Sequence, residues 1–107
     1  MKRIIAVEWE STDDYVSHKI PLEDFGPYKT VFVANIGATD LTFDILKAPG
    51  ADFSPTWTVE KTKATLSGNT LVEWAPTARM HGCFDVRIKN AAANTPSWYS
   101  LWVVAED

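Results

Sequence analysis

The stretch Val31-Phe-Val-Ala-Asn-Ile-Gly-Ala-Thr-Asp-Leu-Thr-Phe-Asp-Ile45 alternates apolar and polar residues on both sides of an Asn-Ile-Gly break. Successive side chains of a strand point to opposite faces of its sheet. The alternation therefore sets Val31 and Val33, then Leu41, Phe43 and Ile45, on one buried face. A second stretch, Leu66-Ser-Gly-Asn-Thr-Leu-Val-Glu-Trp-Ala-Pro76, follows the same rule and turns Val72 and Trp74 inward beyond a Ser-Gly-Asn turn. No eleven-residue window keeps a helical period, so the chain is expected to be all-β, with its strands folded into a sandwich.

Working outward from these two stretches, strands are predicted over Lys2 to Trp9, Tyr15 to Ile20, Tyr28 to Ala34, Asp40 to Leu46, Trp57 to Lys61, Thr70 to Ala75, Cys83 to Lys89 and Trp98 to Ala105. The run from Cys83 is the cleanest: Phe84, Val86 and Ile88 fall on the core side, while Asp85, Arg87 and Lys89 fall on the other. Trp74 is the expected central ring of the core. Pro21 through Pro27, with two prolines and Gly26, cannot continue a ladder. Asn35 to Gly37 and Ser67 to Asn69 supply residues that tolerate the backbone of hairpin turns. The longest strand-poor stretch, Ala48 to Pro55, is expected to carry the chain between sheets.

A length of 107 residues, 46% of them hydrophobic, suits a single domain over 1–107 with one core. Fourteen acidic against ten basic side chains give a net charge of −4, which argues against nucleic acid as a partner, because phosphate affinity comes from clustered Lys and Arg. Cys83 is the single cysteine, so no disulfide can form within the chain, as is usual for a small sandwich made in a reducing cytoplasm. Before Glu8, only Ile4 to Val7 form an apolar run. That is too short for a signal peptide or a membrane span, so synthesis in the cytosol and no membrane partner are expected.

The pattern Val-x-Val-x-Asn-x-Gly-x-x-Asp-Leu-x-Phe-x-Ile, then Leu-x-Gly, Val-x-Trp-x-Pro, a Gly and Phe-x-Val-x-Ile resembles the immunoglobulin-like domains of the major-sperm-protein and abnormal-spindle/hydin type. The matching positions include Asn35, Gly37, Trp74, Pro76 and Gly82, and the likeness covers roughly residues 28 to 105. It implies an immunoglobulin-like β-sandwich of about seven to eight antiparallel strands. It also implies a structural or binding module of the kind found in cytoskeletal, ciliary, cell-surface and phage proteins.

Chemistry-bearing motifs are sparse. His81-Gly-Cys83 offers two metal-competent side chains, but zinc needs three or four ligands, and His18 is the only other histidine. Asp13-Asp14 and Glu23-Asp24 lack the alternating oxygen ligands of a calcium loop. There is no Gly-x-Ser-x-Gly elbow and no Gly-rich phosphate loop. No catalytic residue, metal or cofactor is expected, and the chain reads as a non-enzyme.

In Trp98-Tyr-Ser-Leu-Trp-Val-Val-Ala105, alternation that buries Tyr99, Leu101 and Val103 turns Trp98, Trp102 and Val104 outward. These three are the candidate interface, unless a loop or the first strand folds across them. Exposed apolar patches on small domains are contact sites, and Trp is enriched at their hot spots. The expected function is a structural protein that self-associates or joins a larger scaffold, as a bacteriophage virion component such as a capsid decoration or tail protein. The alternative is a stand-alone binding module, either a cytosolic adaptor or a carbohydrate-binding domain that uses exposed Trp.

Overall fold

Alternating β-branched and aromatic residues give strands, and the computed structural model, which describes residues 2–20, 28–49, 52, 54–74 and 83–106, holds eight of them. They are β1 (Lys2–Glu10), β2 (Val16–Ile20), β3 (Tyr28–Asn35), β4 (Leu41–Ala48), β5 (Thr58–Leu66), β6 (Thr70–Trp74), β7 (Cys83–Asn90) and β8 (Trp98–Glu106). All pairings are antiparallel. One sheet, here sheet A, runs β1-β8-β3-β6; the other, sheet B, runs β2-β7-β4-β5.

The two-layer all-β sandwich is as the alternation predicts, but the order of its strands is not the immunoglobulin order. In an immunoglobulin domain the first two strands share a sheet. Here the first strand pairs with the last, and odd and even neighbours interleave as two Greek keys, which is the jelly-roll arrangement. Turn length misleads about connectivity for the same reason. The tight turns at 36–40 and 67–69 are not hairpins: each arches from one sheet to the other. The long stretch between β4 and β5 joins two neighbours within sheet B instead of crossing between sheets. Strand β5 also runs on to Leu66, five residues past its expected end. It is accommodated by register shifts against β4 around Ile45.

The inward set is legible. Val31, Val33, Leu41, Phe43, Ile45, Phe84, Val86 and Ile88 are all buried, together with Tyr99, Leu101 and Val103 from β8. Trp74 is not the centre of this core. It lies on the edge strand β6, half-buried, with its ring edge-to-face on Phe84 at 5.5 Å; the largest fully buried side chain is Tyr99. Asp85 departs from its strand's outward pattern as well, since it is fully buried. It shares a row across sheet B with Lys19 and Leu46, and Trp57 from the β4–β5 connection lies under the Lys19 ammonium at 5.5 Å. The buried carboxylate accepts from Ser17 Oγ at 2.6 Å and from Arg87 Nε at 3.0 Å.

Four arches meet at one end of the sandwich, and buried polar side chains tie them together. Asn35 Nδ2 donates to the carbonyls of Thr39 (2.7 Å) and Leu66 (3.1 Å), while its Oδ1 accepts from Ser97 Oγ (2.6 Å) and Gly37 N (3.2 Å). Ser97 N donates to Ser11 Oγ at 2.8 Å, and Ser11 Oγ donates to Asn90 Oδ1. Asn90 Nδ2 reaches Asp13 at 2.8 Å, and that carboxylate also accepts from Asn94 N; the two bonds, Asn90's first, hold it below its ordinary pKa. Gly37 is required here because a Cβ would run into Ser97, and Gly68 because one would meet the Ala38 carbonyl.

Two outcomes follow. Phe84→Ala is expected to cost about 3–5 kcal/mol and Trp74→Ala clearly less, because only the first empties a fully enclosed site; urea denaturation of both variants checks the order. Ser97→Ala removes a buried partner from Asn35 and should cost about 1–3 kcal/mol, with a loss of hydrogen-exchange protection focused on the 36–40 and 91–97 arches.

Candidate protein-contact surface

Strand β8 is an inner strand of sheet A, and its inward residues Tyr99, Leu101 and Val103 are fully buried. Its alternation therefore presents Trp98, Trp102 and Val104 to the outside. The two Trp side chains are 50% and 45% exposed, and Val104 is half-buried. No described element folds across them. The three do not form one stripe, however. Trp98 and Trp102 are four residues apart, roughly 13 Å along a strand, with Ser100 between them accepting from Trp102 Nε1 at 2.6 Å.

Registry gathers residues that sequence reading did not assign to the site. Trp102 lies opposite Ala6 on β1 and Phe32 on β3; Val104 lies opposite Ile4; Ala34 on β3 lies opposite Leu71 on β6. Phe32, Ala34, Leu71, Trp102 and Val104 line one shallow apolar groove, with Leu71 62% exposed at its edge. The signal for Phe32 and Leu71 was present in the alternation, as the complement of Val31, Val33 and Val72. That they converge on Trp102 depended on strand order. Glu8, Glu73 and Glu106 are exposed around this apolar centre on the same face, so among the described side chains its rim is acidic.

Trp98 belongs to a second hollow, lined also by Glu8, Trp9 and Glu10 at the arch end of β1. Trp9 is 52% exposed and stands edge-to-face to His18 at 6.3 Å, which stands edge-to-face in turn to Tyr99 at 5.6 Å. Burial holds the His18 imidazole below its ordinary pKa against the opposing pull of the Asp85 charge, and burial pushes the Tyr99 phenol up to about 12. His18 Nε2 and Tyr99 Oη share a hydrogen bond of 2.5 Å, whose direction follows the imidazole tautomer.

Cys83 is buried at the start of β7, while His81, Glu23 and Asp24 lie outside the described residues. Among the described residues no three His, Cys, Asp or Glu side chains gather to hold a metal ion, and no helix is long and apolar enough to cross a membrane.

No protein-family model matches the sequence, and no curated protein matches it. Solved structures match in fold. The Yersinia pseudotuberculosis-derived mitogen aligns with a TM-score of 0.62 at 15% identity, over 100% of this chain and 89% of that one. PirA aligns at 0.58 and 14% identity, over 94% and 93%. Bacillus endospore appendages, described as disulfide-linked pili, align at 0.59 and 12% identity, over 99% and 87%. At these identities the likeness is one of architecture: a β-sandwich that has been put to several uses.

The His18 pair sets a pH dependence. Because the folded ring resists protonation, the unfolded chain binds the proton more readily. Stability is therefore full above the unfolded pKa of about 6.5 and falls as the pH drops below it toward the folded value. Urea midpoints at pH 7 and pH 5 should differ more for the wild type than for His18→Gln, which cannot titrate. Equal differences would mean that His18 does not couple to folding.

Proposed function

We propose that this chain is a non-enzymatic structural protein that works through protein–protein contacts made by the outer face of sheet A, as a bacteriophage virion component of the capsid-decoration or tail kind. The observation that carries the reading is the apolar groove around Trp102, left open on a domain whose core is otherwise complete. Jelly rolls are a common frame for capsid and lectin domains, and one fold neighbour forms pili, so the architecture is compatible with assembly. The acidic rim selects the partner. Two copies packed face to face through this groove would oppose Glu8, Glu73 and Glu106 with themselves, whereas a scaffold surface with an apolar centre and basic surroundings is complementary. The same rim repels phosphate, which disfavours nucleic acid. Under this reading the protein acts in the virion. The alternative, a carbohydrate-binding module, is favoured by the second hollow, where Trp9 and Trp98 flank two carboxylates.

A Trp buried in a contact covers roughly 150–250 Å², so losing both from an interface shifts its dissociation constant by orders of magnitude. The double variant Trp98→Ser, Trp102→Ser should stay folded by circular dichroism, since neither side chain is in the core, while its recovery in purified particles collapses. Wild-type recovery in a folded double variant defeats the proposal. Gene order offers an independent check: the reading expects the coding sequence among capsid and tail genes.

A further inference from the structure

Strand β1 forms an edge of sheet A, and among the described residues no strand pairs with its outer side. Natural edge strands are blunted by proline, bulges, charged side chains or brevity, because an open edge is a template for another strand. Of these protections strand β1 has only charges, and all four sit at its ends. It is nine residues long, contains neither Pro nor Gly, and pairs with β8 without a register shift from Lys2↔Glu106 to Glu10↔Trp98. Its middle residues, Ile4, Ile5, Ala6 and Val7, are uncharged. Ile4 is 47% exposed, and even Ile5 and Val7, which pack against the core, are only half-buried.

The ends of the strand carry opposite charge, with Lys2 and Arg3 at one and Glu8 and Glu10 at the other. We propose that β1 pairs antiparallel with β1 of a second copy about a two-fold axis through Ala6, joining the two A sheets into one continuous sheet. This register sets Lys2 opposite Glu10, Arg3 opposite Trp9, Ile4 opposite Glu8, Ile5 opposite Val7, and Ala6 opposite itself. Shifting it by two residues in either direction loses the Lys2–Glu10 and Arg3–Trp9 matches. A two-fold contact must be self-complementary and makes each match twice. Opposite charges across neighbouring strands stabilise the pairing, and a cation over an indole face adds to it. The hollow lined by Glu8, Trp9, Glu10 and Trp98 lies at the end of β1 that this register sets against the second copy's residues 2 and 3, and its carboxylates and indoles suit cations. On the inner side, Ile5 and Val7 of one copy cover Val7 and Ile5 of the other. The inference rests on the edge of the sheet and not on the reading of its outer face.

Sedimentation equilibrium of the full chain tests it. The wild type should approach twice 11.9 kDa. A basic variant, Glu8→Lys with Glu10→Lys, and an acidic variant, Lys2→Glu with Arg3→Glu, should each self-associate at least about tenfold more weakly. Mixed in equal amounts, they should form a heterodimer, because opposite charges then face each other at both 2–10 pairs; this rescue also shows that both variants fold. Trp102→Ser should leave the dimer intact. Should either variant fail to fold, hydrogen exchange on the wild type serves instead, with protection of the β1 amides expected to rise with protein concentration. A wild type that stays monomeric, a mixture that does not associate, or β1 protection independent of concentration overturns the proposal. Association lost in Trp102→Ser but kept in the charge variants also overturns it, while leaving the outer-face reading standing. A monomeric wild type whose Trp fluorescence is saturably quenched by glucose or N-acetylglucosamine oligomers gives the hollow to sugar instead.

Discussion

The hydrogen bond between Ser97 Oγ and Asn35 Oδ1 lies at the centre of the constraint on which this sandwich depends. Four arches turn from one sheet to the other at the same end, and their backbone polar groups cannot all reach water. Each group left unpaired there would cost about 1–3 kcal/mol. Asn35 has the right inventory for the position, since its amide donates twice while its carbonyl accepts, and it joins the 36–40 arch to the ends of β5 and β8. Ser11 and Asn90 extend the chain of bonds to the other two strands that arrive at this end. These bonds hold the four arches against one another at this end of the sandwich.

With both sheets fixed, the molecule has two surfaces of different chemistry. The outer face of sheet A is apolar at Trp102 and acidic around it, and therefore fits a surface unlike itself. The β1 edge is basic at one end and acidic at the other, and therefore fits itself. A two-fold contact alone closes at a dimer, whereas a second, different contact lets dimers be placed on a larger array. The combination suits a subunit of an assembly better than either surface would alone.

The pairing of the first strand with the last has a further effect on that edge. It holds β1 against β8, whose inward side chains Tyr99, Leu101 and Val103 are fully buried, so the exposed edge is backed by a strand anchored in the core. Tyr99 of β8 and His18 of β2 bridge the two sheets close to the same edge, and the neutral imidazole lets that bridge sit where a charge would be costly.

The sequence by itself determined the all-β class, the existence of eight strands and the inward or outward direction of most side chains. Each of these follows from a period of two read along consecutive residues, which is why the alternation of β8 alone was enough to assign Trp98, Trp102 and Val104 to the outside. Strand order was not legible, because short turns such as Asn35 to Gly37 serve equally as hairpins or as arches. The difference lies in the long-range bonds of Asn35, Ser97, Ser11 and Asn90, residues far apart in sequence. From that order come the jelly-roll topology, the edge position that leaves Trp74 half-buried, and the convergence of Phe32, Ala34 and Leu71 on Trp102. The charge asymmetry of Lys2 to Glu10 is plain in the sequence, but it acquires meaning only once that strand stands at an open edge. Alternation is a property of neighbours along the chain; adjacency of strands is a property of the packed whole, and only the tertiary structure decided it.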